Sequence, residues 1–94
     1  MLLIELTYKK PINEVDKFVV EHREFLDKQY EAGVLLLSGP QEPRVGGILL
    51  ARGEQNAIEE ILKQDPFYQQ GIADYRIINF VPNKSCKLLT PLLN

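Results

Sequence analysis

His22 is the only histidine in the chain, and its position singles it out. Its unperturbed pKa of about 6.5 makes it the side chain best suited to moving protons near neutrality. Read as a helix, Val15, Phe18, Val19, Phe25 and Leu26 fall on one side at spacings of three and four. His22 lies on that same stripe, one heptad after Val15. A titratable ring aimed at an apolar interior costs free energy unless something compensates it. A neutral, hydrogen-bonded core histidine would meet that requirement. So would a general acid/base in a pocket between the helix and a sheet.

Asp65 is the second candidate. It closes a second helix, just before Pro66-Phe67-Tyr68. Aspartate before proline is a common turn former. Where two helices pack side by side on one sheet face, the C-terminal half of one approaches the middle of the other. An aspartate beside His22 would fix its tautomer and favour the imidazolium. The turn segments Ser38-Gly39-Pro40 and Arg44-Val45-Gly46-Gly47 come next. Their glycines suit tight hairpins or close backbone approach to a ligand. Gly46-Gly47 is no phosphate loop, since neither a following lysine nor a strand-to-helix context is present. Ser38 has no base marked beside it. Phe67 and Tyr68 suit a pocket wall or a core. Arg23, about 100° around the helix from His22, is expected to face elsewhere and to form an ion pair.

The elements that must position these residues follow from periodicity. Leu2 to Tyr8 alternates and reads as a strand, closed by Pro11. Asn13 is the expected N-cap of a helix with Glu14 and Asp16 in its first turn. That helix runs to about Ala32, with Gly33 at the C′ position. Strands are expected at Val34 to Ser38, Gly46 to Ala51 and Ile72 to Val81, and a second helix at Gln55 to Gln64. Pro66 to Gln70 reads as a short helical turn ended by Gly71. The order β-α-β-β-α-β predicts a ferredoxin-like α+β fold, an antiparallel sheet with two helices on one face. The 94 residues are expected to form a single domain, with the tail 83–94 outside its core.

Val34-Leu35-Leu36-Leu37 and Ile48-Leu49-Leu50-Ala51 are apolar on both faces. Helices of this architecture cover one face only, and a second apolar face needs another cover. The sheet of a second copy is the simplest one, which predicts a homodimer through the sheet face.

Composition excludes several classes. At 45% hydrophobic and 26% charged, with a net charge of −2, the chain has the balance of an ordinary globular protein. Its lysines and arginines are scattered, so no nucleic-acid partner is expected. No apolar stretch approaches the roughly 20 residues that span a bilayer, and no signal peptide is evident. Cys86 stands alone, which makes the cytoplasm the default location. No metal and no cofactor are expected, because no paired cysteine or histidine ligands stand near each other.

The run His22-Arg23-Glu24-Phe25-Leu26, then Gly33 through Pro40, Gly46-Gly47-Ile48-Leu49-Leu50, Asp65-Pro66-Phe67 and Tyr75-Arg76-Ile77 resembles the YCII-related (YciI-like) family. The likeness extends from the first strand to about Val81. It implies the ferredoxin-like fold of the dimeric α+β barrel superfamily and a histidine-aspartate dyad lining a pocket. The dyad maps to His22 and Asp65; Ser38, Gly39 and Phe67 match positions near the pocket. Most of that family has no assigned activity. One member is a dehydrochlorinase of a chlorinated hydroxyquinol, and wider relatives isomerise lactones or oxidise quinols. The expectation is a small cofactor-independent enzyme of the lyase or isomerase kind, acting on a small cyclic or aromatic substrate. The alternative is a non-catalytic ligand-binding or structural accessory dimer.

Overall fold

Leu2, Ile4 and Leu6 are buried, whereas Leu3, Glu5 and Thr7 between them are not. That alternation gives β1 (Leu2–Tyr8) one face for a core and one for another environment. The computed structural model describes residues 1–93. β1 is followed by α1 (Ile12–Asp16), α2 (Val19–Glu31), β2 (Leu35–Pro40), β3 (Gly46–Ala51), α3 (Gln55–Leu62), α4 (Pro66–Gln69) and β4 (Ala73–Asn79). A 3₁₀ turn follows at Thr90–Leu93. The four strands lie in the order β2-β3-β1-β4, every neighbour antiparallel. This is the ferredoxin-like α+β arrangement.

The register centres Ile4 between Leu49 and Ile77. Leu2, Ile4, Leu6, Leu49 and Ala51 form the floor of the core, and Val15, Phe25, Leu26, Ile58 and Leu62 cover it from the helices. Burying each such side chain contributes about 1.5–3 kcal/mol. The opposite sheet face carries Leu3, Ile48, Leu50 and Ile78, with Leu37 64% exposed.

The single helix expected over Asn13 to Ala32 is instead two helices. Lys17 and Phe18 donate to carbonyls three residues back, Glu14 and Val15, and α2 restarts as the His22 N–H reaches the Phe18 carbonyl. Phe18 sits at φ −117°, ψ 6°, outside helical geometry. Asn13 is not a cap: α1 starts after Pro11, without a side-chain capping bond. The end of α2 follows expectation. Gly33 adopts φ +75°, its N–H donates to the Tyr30 carbonyl, and the Val34 N–H reaches back to Gln29. Those paired bonds are a Schellman motif.

β2 departs most from a plain alternation. Leu35 pairs with Ala51, but Leu37 pairs with Leu50, so Leu36 is an extra residue in a bulge. Directly opposed residues share a face. The bulge therefore leaves Leu35 on the core side, turns Leu37 outward with Leu50, and brings Ser38 to the core side opposite Leu49.

Candidate functional site

α2 carries His22 on the face it turns to α4 and the sheet. The His22 Nδ1 lies 2.8 Å from Asp65 Oδ1. Asp65 ends the turn after α3 and is the N-cap of α4, where its Oδ1 also accepts the Phe67 N–H at 2.9 Å. Proline at the next position suits that role, because its missing N–H is one the helix would leave unpaired. One carboxylate thus starts a helix and holds an imidazole. Asp65 is fully buried. Its other oxygen, Oδ2, accepts the Tyr75 hydroxyl of β4 at 2.5 Å. Burial, then the nearby Asp65 charge and this hydrogen bond, push the Tyr75 phenol well above its ordinary pKa, so it stays a donor. Three donors around one carboxylate satisfy it, and no buried side-chain polar atom among the described residues lacks a partner.

An ionised carboxylate only accepts, so Nδ1 must carry a proton. In the neutral ring the lone pair then sits on Nε2. That nitrogen has no protein partner and is not a buried orphan, so it opens to the cavity beside it. The other face of the site is aromatic. The Phe67 ring stacks on the imidazole with centroids 3.9 Å apart and planes within 3°. Tyr8 meets Phe67 edge-on at 6.1 Å.

The cavity has a volume of about 360 Å³, and His22, Ser38, Gly39 and Phe67 all line it. The β2 bulge is what brings Ser38 to this side of the sheet. Its hydroxyl is bonded to the Tyr30 hydroxyl at 2.5 Å. Arg44, from the β2–β3 turn, donates to Asp16 at 2.8 Å and lies over the Tyr8 ring at 5.8 Å. Arg23 also lines the cavity, against the expectation that it faces elsewhere in an ion pair. The cavity wraps past α2 widely enough for a long side chain 100° from His22 to reach it. The glycine of closest approach is Gly46, and its reason is not a ligand. A Cβ there would stand 1.7 Å from the Leu6 carbonyl oxygen, so the close contact is strand against strand.

The sequence pointed to His22 by its place on an apolar stripe, and the family resemblance added Asp65, Ser38, Gly39 and Phe67; all but the buried Asp65 line the cavity. Periodicity missed Tyr75, whose alternation in β4 reads the same for a packing tyrosine and for one that donates to a carboxylate. Asp16 and Tyr8 gave no signal either, because they meet Arg44 only through the folded turn. Among the described residues, no set of three or more histidine, cysteine, aspartate or glutamate side chains converges to hold a metal ion.

An α+β sheet-and-helix unit with a histidine-bearing cavity beside one sheet face is the class these features define. The YCII-related domain matches residues 1–81, and the chain belongs to that family. No curated protein matches. Among solved structures, the fold is similar to 5-chloro-2-hydroxyhydroquinone dehydrochlorinase from Burkholderia phenoliruptrix AC1100 in complex with 2,5-dihydroxybenzoquinone. That likeness has a TM-score of 0.70 at 14% identity and covers 85% of this chain and 93% of the other. No helix among the described residues is long and apolar enough to cross a membrane.

Proposed function

We propose that this protein is a small enzyme of the lyase or isomerase kind, in which His22 Nε2 transfers a proton on a small cyclic or aromatic substrate. The observation that carries the reading is the 2.8 Å contact of His22 Nδ1 with a fully buried Asp65, which leaves Nε2 facing a cavity. In the forward step Nε2 takes a proton from substrate. The imidazolium that forms faces the Asp65 carboxylate, which stabilises it and keeps the ring in place. In an isomerisation the proton then returns to another atom of the product. In an elimination the electron pair it leaves forms the new double bond, the bond to the leaving group breaks, the leaving group departs as an anion, and the proton passes to water. A positioned acid/base of this kind contributes roughly 10²–10⁴-fold. No step calls for a cofactor.

Ser38, Gly39 and Phe67 are assigned to substrate contact. A volume of about 360 Å³ suits a single-ring molecule. The six-membered quinone ring bound in the similar dehydrochlorinase structure supports the same class. We also assign the open sheet face, with Leu37 at its edge, to a second copy of the chain, and the cytoplasm to a protein whose Cys86 is an exposed free thiol.

The test is a panel of hydroxylated and chlorinated quinols and small lactones, incubated with wild type and His22→Ala and followed by absorbance and NMR. Turnover by wild type and its loss in His22→Ala is the expected result; full turnover by His22→Ala overturns the proposal. The cavity also favours a second reading, a non-catalytic ligand-binding dimer. Saturable binding with no chemical change over long incubation would select it.

A further inference from the structure

The cavity wall is charged in a way that proton transfer alone does not require. Its charged side chains are Arg23, Arg44 and Asp16. Arg44 is already matched by Asp16 at 2.8 Å. Arg23 has no ion pair and no hydrogen bond among the described residues, and Asp27, one turn further along α2, is not bonded to it. The wall therefore carries one uncompensated positive charge within a chain of net charge −2. That charge is on the residue next to His22, and both side chains reach the same cavity.

We propose that Arg23 is a substrate-binding residue and that the ligand of this pocket is an anion, a ring bearing a carboxylate, phenolate or enolate oxygen. A guanidinium presents several N–H donors in a fixed fork that matches such oxygens. The anionic oxygen lies on Arg23, which turns the rest of the ring toward His22 Nε2 and across the Phe67 side of the cavity. Arg44 contributes less, since a ligand must compete there with Asp16. This deepens the proton-transfer reading and rests on it only for which ring atom reaches Nε2.

The test measures binding, with benzoate and its neutral isostere benzamide as the probes. His22 is the only histidine, so its ring resonances give an unambiguous NMR signal from inside the pocket. Benzoate is expected to move the His22 signals saturably in wild type, and to bind more weakly as salt is raised. Benzamide is expected to bind at least tenfold more weakly. Arg23→Gln should weaken benzoate at least tenfold, and Arg23→Lys should recover part of the loss. Arg23 is an exposed helix position, and an unchanged amide spectrum verifies that both variants fold. Equal binding of the two probes overturns the inference. So does unchanged benzoate binding by Arg23→Gln, or a wild-type His22 signal that benzoate does not move. If benzoate binds through Arg23 while His22→Ala keeps full turnover, the anion site stands and the proton-transfer reading alone falls.

Discussion

His22 and Asp65 are 43 residues apart in the chain and 2.8 Å apart in the fold. Each is needed for something besides the other. The Asp65 carboxylate caps α4 through the Phe67 N–H and accepts from Tyr75, whereas the His22 ring is stacked on Phe67. The two ends of the contact therefore respond differently to substitution.

Asp65→Asn places an amide NH₂ among groups that all donate to the native carboxylate. Leaving one buried donor unmatched costs about 1–3 kcal/mol. The expected outcome is a melting temperature several degrees lower, together with lost turnover. His22→Ala removes the stacking partner of Phe67, worth about 0.5–1.5 kcal/mol, and one of the three donors to the buried Asp65 carboxylate, worth about 1.5–3 kcal/mol; turnover should be abolished and the melting temperature lowered. Thermal unfolding followed by circular dichroism checks both: each variant should melt below wild type, and each should keep the wild-type spectrum at room temperature.

Tyr75→Phe removes the donor to Asp65 Oδ2. Near neutral pH the loss is about 1.5–3 kcal/mol, the range for a hydrogen bond to a charged group. The pH dependence has a definite sign. The folded phenol is held above its ordinary pKa of 10.0, so above that pH the unfolded chain loses a proton that the folded chain keeps. The stability Tyr75 contributes is fully present below pH 10 and declines as pH climbs past it. Urea melts at pH 8 and pH 11 should show the gap between wild type and Tyr75→Phe narrowing at the higher pH.

Gly46→Ala is expected to be among the most damaging single methyl additions. Its Cβ would meet backbone, the Leu6 carbonyl, which cannot rotate away. The β1–β3 pairing must open to admit it, at about 1–3 kcal/mol. Gly39→Ala is the control, because open space surrounds its added carbon. Comparison of the two unfolding midpoints tests the difference.

Leu37→Asp puts a charge on the open sheet face opposite Leu50. If that face is covered by a second copy, sedimentation should find two chains per particle in wild type and one in the variant. The fold of the monomer should be little affected, since Leu37 is largely exposed there.

The fold was readable from the sequence because its signals are local. β1 alternates, Gly33 stops α2, and Asp65-Pro66 ends one helix and begins another. The break at Lys17–Phe18 was not readable: no glycine or proline marks it, and the stripe from Val15 to Leu26 continues across it. For the site, His22 stood out because a ring among apolar neighbours must have a partner. Asp65 stood out as an aspartate before proline at a helix end, and its pairing with His22 was implied by the family resemblance rather than by spacing. Tyr75 and Arg23 were not legible in the same way. Whether a tyrosine on an inward strand position meets a carboxylate depends on what the opposing turn presents. Whether an arginine beside a site residue reaches the same space depends on the breadth of the cavity, which no helical angle encodes.

The extra residue in β2 has a different kind of consequence. Every position after Leu36 owes its side of the sheet to a count rather than to a side chain. Losing or gaining one residue there would invert the parity of the strand's end and send Ser38 away from the cavity, with His22, Asp65 and Phe67 untouched. For this hairpin, length is itself a determinant of the site. Two relatives with identical dyads but strands one residue different would present different pocket walls, and any alignment of such chains has to be anchored at the β2–β3 turn rather than at the leucine run.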